Sequence, residues 1–296
     1  MAKFCIILVI IFWASAFVGI RHAVLEYHPF ELALFRYTVA SMTLLIFVLI
    51  KRIRLPEIKD LVHFFISGVI GISVYNISLN YGELTTTAGE ACFIVNMAPL
   101  FTSLMGFYFL KEKIRVNFVI GLFISFSGVS LMAFSFSNGI AFKQGSLFIL
   151  IAAIAQALYF ILQKSLLKKY TPMEVTCYCF WSGTIAMVPF GYSFIGKISY
   201  VNLEYTISVL YLGIFPAAMA SLCWAVVLKN MDASKAASFL YAVPIIVILI
   251  GWFWLNELPS TISIIGGLIA ITGVIYANKN KKSTESKKLK QLKGIS

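Results

Sequence analysis

Ten apolar runs follow one another along this 296-residue chain, at about 4–20, 30–50, 61–81, 88–110, 115–136, 145–163, 174–195, 207–228, 233–255 and 260–278. A helix needs about 20 mostly apolar residues to cross a bilayer, and these runs have that length. Turn residues separate them, as at Tyr27-His28-Pro29, Leu55-Pro56, Ser137-Asn138-Gly139, Thr171-Pro172 and Leu258-Pro259. The connections are too short to hold a soluble catalytic or nucleotide-binding domain. The expected fold is an all-α polytopic membrane protein of ten transmembrane helices.

Charge supports that reading. Only 12% of residues are charged, about half of what a soluble domain carries on its surface. The net charge of +12 would suggest nucleic acid in a soluble chain, but its placement gives membrane topology instead. Twenty of the 24 basic residues lie at the N-terminus, in the turns after even-numbered runs and in the tail beyond Asn278. Three, Arg21, Lys143 and Lys197, lie on the other side, and Arg36 lies within a run. Short basic loops stay in the cytoplasm, so both termini are expected there, in a multi-pass protein of the inner membrane. The apolar run after Lys3 lacks a small-x-small cleavage site and reads as an uncleaved first span. Expected partners are the lipid bilayer and a small-molecule solute, with no nucleic acid; the chain is expected as a monomer or weak homodimer.

An internal repeat constrains the arrangement further. Phe17, Arg21, Tyr27, Pro29 and Glu31 recur as Phe160, Lys164, Tyr170, Pro172 and Glu174, 143 residues later. Ala88, Ala91, Pro99, Glu112, Gly121 and Gly128 recur as Ala233, Ala236, Pro244, Glu257, Gly266 and Gly273, 145 residues later. Five spans per copy is an odd number, so the second copy enters from the opposite face. The expected organisation is a first five-helix repeat at 1–138, an inverted second at 139–278 and a basic tail at 279–296. Inverted repeats place a solute site near the midplane between halves and give alternating access a structural basis.

The motifs Phe12-Trp13-Ala14-Ser15-Ala16-Phe17 and Leu34-Phe35-Arg36-Tyr37, with the paired Pro99/Glu112/Gly121/Gly128 and Pro244/Glu257/Gly266/Gly273 spacing, resemble the EamA-type branch of the drug/metabolite transporter superfamily. The resemblance covers nearly the whole chain. It implies ten spans, cytoplasmic termini, a central cavity lined from both halves and secondary transport without ATP. Gln156 stands where the repeat pairs it with Trp13, so the site need not be symmetric.

Polar residues at membrane depth are costly and usually face the bundle interior. Ser73, Asn76 and Asn80 form a stripe on the third span; Arg36 and Glu90 fall at a similar depth. Arg36 and Glu90 suit gating, coupling or recognition of a zwitterion, and equally suit a structural ion pair with the asparagines as interhelical glue. Nearer the midplane are Trp13, Asn96, Gln156, Tyr159 and Tyr241, with Asn96 and Tyr241 each three residues before a repeat proline. They can wall a cavity or simply pack. The substrate-binding candidates are therefore Trp13, Asn76, Asn80, Asn96, Gln156, Tyr159 and Tyr241, and Glu90 is the one carboxylate expected to couple protons.

Other residues read as structural. Trp181, Trp224, Trp252 and Trp254 suit interface anchoring, Glu112 and Glu257 suit caps or loop ties, and the glycines near Ser125 and Ala270 suit close helix packing. No spacing of His, Cys or Asp marks a catalytic or metal site, no phosphate loop is present, and no cofactor is expected. The expected function is export of amino acids or related metabolites by alternating access. Import of a nucleoside-linked cofactor, efflux of cationic drugs, or a membrane-embedded enzyme or assembly subunit are the alternatives.

Overall fold

The computed structural model describes residues 2–51, 53–86, 88–136, 144–190, 203–255 and 261–278, and their regular structure is entirely helical. Lipid offers no hydrogen bonds to an open backbone, so an apolar chain there closes its peptide groups within helices. Seven helices among the described residues are long and apolar enough to cross a membrane, and two shorter apolar helices, Val116–Leu131 and Ile264–Ala277, accompany them. The protein is thus a polytopic membrane protein, as hydropathy predicts.

The first two long helices, α1 (Ala2–Ala23) and α2 (Pro29–Lys51), meet at a tight turn. The third crossing is composite: α3 (Ile58–Gly68), a π-helical segment Val69–Val74, then α4 (Tyr75–Glu83). The fourth breaks between α5 (Ala88–Val95) and α6 (Ala98–Leu110), just before Pro99. There follow α7 (Val116–Phe136), α8 (Gln144–Leu166) and α9 (Pro172–Met187). Next comes α10 (Leu203–Leu212), a second π segment Gly213–Met219 holding Pro216, and α11 (Ala220–Asn230). The chain ends with α12 (Ala233–Ser238), a 3₁₀ turn Phe239–Ala242, α13 (Val243–Leu255) and α14 (Thr261–Asn278). The π segments widen two crossings at corresponding points, and such insertions tend to mark functional positions.

Glycine sets two close crossings. A Cβ on Gly68 would fall on the backbone of Cys179 and Gly183, so α3 and α9 touch main chain to main chain. On the α7–α14 pair, Gly128 abuts Ala270 and Gly273 abuts Ser125, and Ser125 Oγ donates to the Ala270 carbonyl at 3.0 Å. Small-xxx-small spacing predicts this contact.

One end of the bundle is tied by polar side chains. Thr171 and Glu174 form a capping box on α9, and Glu174 also accepts from the Arg54 amide at 3.1 Å. Lys169 Nζ reaches Glu57 at 2.7 Å and Asp60 at 2.5 Å, while the Tyr170 hydroxyl donates to Asp60 at 2.6 Å. The Lys169 ammonium, with Lys59 behind it, holds the Glu57 carboxyl below its ordinary range, and the same contacts push Lys169 upward. The 230–233 turn is clamped on both sides. Lys164 Nζ donates to the carbonyls of Leu228 and Met231 at the end of α11 (2.6 and 2.8 Å), and Glu112 accepts from the amides of Ala233 and Ser234 at the start of α12 (2.7 and 3.1 Å). A cation thus meets a helix C-terminus and an anion an N-terminus, the pairing the helix dipole favours. Glu112 is the cap its position predicts; Glu257 lies outside the described residues.

Trp224 corrects an expectation. It is not an interface anchor but is buried, 1% exposed, against Trp13 and Phe160 at ring separations of 5.3 and 4.6 Å. Its facing was not legible from the sequence. Trp181 packs partly against the core and donates to the Ser41 carbonyl at 3.3 Å. The side chains of Trp252 and Trp254 are outside the described set.

Candidate functional site

The middle of the bundle encloses a cavity with walls from both halves of the chain, about 830 Å³ including the part continuous with solvent. Its apolar floor is aromatic. Trp13 on α1 stacks near-parallel on Phe160 of α8 (6.2 Å, 5°), leans on Trp224 and donates its indole N–H to the Pro216 carbonyl at 3.2 Å. That carbonyl belongs to the second π segment, where the main chain is displaced from the α-helical ladder. The first π segment supplies Gly71 and Ile72. Gly71 lets the Tyr159 ring lie directly on the helix, because any Cβ there would overlap the ring. Tyr159 in turn accepts a hydrogen bond from Gln163 Nε2 at 3.2 Å.

Polar groups are few, and several are unfilled. Asn96 spends its amide N–H on the Cys92 carbonyl at 2.6 Å, leaving Oδ1 buried with no partner among the described residues. Gln156 Oε1 is likewise buried and unpartnered. Asn76 donates to the Ile72 carbonyl at 2.9 Å, within its own helix. The only charged side chain on the described cavity wall is Arg36. It is 4% exposed, and its Nε and Nη1 have no hydrogen-bond partner among the described residues. A buried guanidinium with free N–H groups is costly unless an anion meets it, and its planar fork matches a carboxylate. The cavity therefore presents one cationic donor, two amide acceptors and flat apolar walls.

Of the residues expected to bind or gate, Trp13, Arg36, Asn76, Asn96, Gln156 and Tyr159 line this cavity. Asn80 does not. It donates to the Pro29 carbonyl at 2.8 Å and ties α4 to the start of α2, an interhelical role, because its place on the stripe turns it toward α2. Tyr241 does not either. It is fully buried in a separate cluster with Leu122, Val129 and Ala270, since the 3₁₀ turn at 239–242 rotates it away from its repeat partner Asn96. The Glu90 side chain lies outside the described residues.

Three polar wall residues were not among the binding candidates: Tyr37, Tyr75 and Ser221. Nor was Glu83, which ends α4 fully buried, with both carboxylate oxygens unpartnered among the described residues. The signal was present, because Glu83 continues the stripe Ser73, Asn76, Asn80 at helical spacing. Ending the third span at residue 81 hid it.

Comparison with known proteins agrees with this architecture. The model of the EamA-like transporter family matches the chain twice, over residues 1–134 and 143–279. An uncharacterised transporter of Bacillus subtilis, YdfC, is 36% identical over 264 residues, covering 89% of this chain and 86% of its own. A protein of Streptantibioticus cattleyicolor described as a probable terminal-alkyne amino-acid exporter is 31% identical over 278 residues, 94% of this chain and 93% of its own. A solved crystal structure shares the fold with a TM-score of 0.79 at 18% identity, over 94% of this chain and 96% of that one.

Proposed function

The chain belongs to the EamA-like transporter family, so it is a transporter and not an enzyme, and on that premise we propose that it exports amino acids or closely related metabolites. The observation that carries this reading is Arg36, a buried guanidinium with unfilled N–H donors on the wall of an otherwise apolar and aromatic cavity. A solute carboxylate satisfies those donors. The free oxygens of Asn96 and Gln156 accept from an α-ammonium, and the walls formed by Trp13, Phe17 and Phe160 take an apolar side chain. A relative described as an amino-acid exporter supports the same solute class. The one charge on the described cavity wall being positive weighs against cationic drugs.

The proposal includes ten crossings in two inverted repeats, 1–138 and 139–278, with the tail 279–296 and both termini on the cytoplasmic side of the inner membrane. The double family match and the matching π segments at Val69–Val74 and Gly213–Met219 support it, and the basic-residue bias sets the orientation. Alternating access around the cavity follows from that scaffold.

The test uses proteoliposomes and L-propargylglycine, a terminal-alkyne amino acid, beside its carboxamide, which lacks the carboxylate. The wild type carries the acid and discriminates against the amide. Arg36→Gln loses transport of the acid by roughly 10- to 150-fold, the worth of a hydrogen bond to a charged group, about 1.5–3 kcal/mol, with unchanged membrane abundance. Equal transport of acid and amide by the wild type refutes the role of Arg36.

A further inference from the structure

Glu83 lies one turn beyond the cavity-lining Leu79, at the end of α4 near the Ala23–Pro29 turn. Its surroundings are unusual for a carboxylate. It is 0% exposed, and neither oxygen has a hydrogen-bond partner among the described residues. Burial works against its ionised form, and two guanidiniums, Arg36 from α2 and Arg21 from α1, work in its favour. Neither makes a hydrogen bond to the carboxylate. Arg21 Nη1 instead donates to the Glu83 main-chain carbonyl at 2.6 Å, which fixes the end of α4 and leaves the side chain unclaimed.

Among the described residues, no other charged group acts on it. Cys92 of α5 feels Glu83 but is a thiol, and Tyr75 lies on α4 itself. The α8 helix, packed closely along α4, meets it at Gly82 through Gly145 and Ile149, neither titratable. The π segment Val69–Val74 contains no ionisable residue. The side chain of Glu90, on α5, is outside the described residues. Arg36 and Glu83 are thus a guanidinium and a carboxyl group on the packed helices α2 and α4, each buried, each with unfilled hydrogen-bonding atoms, and not joined by a hydrogen bond.

We propose that Glu83 is a resident counter-ion for Arg36 that competes with the solute's carboxylate and so promotes its release. The inference rests on the amino-acid reading above for the identity of the competing anion. With the cavity empty, the Glu83 charge offsets the burial of Arg36. A solute carboxylate on Arg36 takes over that offset and leaves Glu83 with less of it, so the bound state is kept from becoming too stable. Glu83 lies one turn beyond the cavity wall, toward the face that the proposed topology places outside, the release side for an exporter. Anything that removes its charge, a proton included, tightens the solute on Arg36; coupling between two ligands of this kind is reciprocal.

The experiment has two arms on the full-length protein in proteoliposomes. In the first, infrared pH-difference spectra follow the carboxylic C=O band that Glu83→Gln removes, and no solute is needed. Arg36→Gln moves the titration of that band to higher pH; an unmoved titration overturns the pairing whatever the solute is. In the second, Glu83→Gln binds L-propargylglycine at least tenfold more tightly than wild type, with a lower maximal export rate and loss of the slowing that acid on the exit side causes in wild type. Glu83→Asp restores weak binding and fast export. Unchanged affinity in a Glu83→Gln protein that elutes and melts like wild type overturns the competition. Failure of the wild type to bind the probe, with the infrared coupling intact, overturns the amino-acid reading and leaves the counter-ion pairing supported.

Discussion

Truncating Glu112 to alanine tests how firmly the start of α12 is held. The carboxylate accepts from Ala233 N at 2.7 Å and Ser234 N at 3.1 Å, and the Ser234 hydroxyl also donates to it. Each hydrogen bond to a charged acceptor contributes about 1.5–3 kcal/mol. The site is only partly buried, so water recovers part of the loss, and replacing a capping side chain by alanine costs about 0.5–2 kcal/mol. Loss of the anion from the helix N-terminus adds about 0.3–1 kcal/mol. The expected total is about 2–3 kcal/mol. For a chain of this size about 2 °C of melting temperature corresponds to 1 kcal/mol, so Glu112→Ala lowers the apparent melting temperature by roughly 4–6 °C by those conversions. The assay is tryptophan emission on heating the detergent-solubilised protein, and Glu112→Gln, which keeps one acceptor oxygen, falls between wild type and alanine. A fall below about 1 °C on the same scale refutes the assignment. A functional consequence follows, because Leu240 and Val243, in the same span as α12, line the cavity: solute affinity weakens in the alanine variant as the start of that span loosens.

Two further outcomes follow from close packing and from the tied end of the bundle. Gly71→Ala places a methyl group on the Tyr159 ring, at the roughly 1–3 kcal/mol typical of overpacking, and it reduces transport together with thermal stability; normal values of both show that the ring can move aside. The Glu57–Lys169 contact follows pH from both sides. The Glu57 carboxyl is depressed, so its contribution is complete above its ordinary value and is lost as pH falls through the folded one; Lys169 is raised, so its contribution is complete below its ordinary value and is lost at higher pH. The contact is at full strength between roughly pH 5 and 10. Hydrogen-exchange protection at 57–60 and 168–171, taken relative to the intrinsic rate at each pH, therefore falls at acid pH and in high salt, and protection insensitive to both refutes the tie.

Hydropathy located the helices because lipid demands length and apolarity of every crossing, and both are local properties of the chain. The packing faces of α7 and α14 were equally readable, since small residues at one spacing define a face, although not which partner it meets. Facing was harder. Asn76 and Asn80 share one stripe, yet one faces the cavity and the other α2, because a few tens of degrees of helix rotation decide between them. Asn96 and Tyr241 occupy matching positions before their prolines, yet the breaks differ, a short interruption in one and a 3₁₀ turn in the other. Glu83 was lost to a span boundary drawn two residues early. Such errors have one origin: sequence periodicity gives a side chain's direction on its own helix, whereas burial depends on helices far away in the chain.

The cavity wall itself shows how two matches to one family unit can carry a one-sided site. Positions 143 residues apart face it as Trp13 with Gln156 and Phe17 with Phe160, and positions 145 apart as Gly71 with Pro216 and Asn76 with Ser221. Backbone-defining positions and apolar surfaces recur, while the kind of hydrogen-bonding group changes. Arg36 is the extreme case, for the residue 143 positions later is Cys179, a buried thiol. A site with one guanidinium holds a carboxylate in one orientation, nearer the first half of the chain than the second. On the proposed reading, rocking of the halves moves the solute with the Arg36 side, and Glu83, on the same half, travels with Arg36 and competes for it. The scaffold's symmetry then serves the motion, and the asymmetry of charge serves its direction.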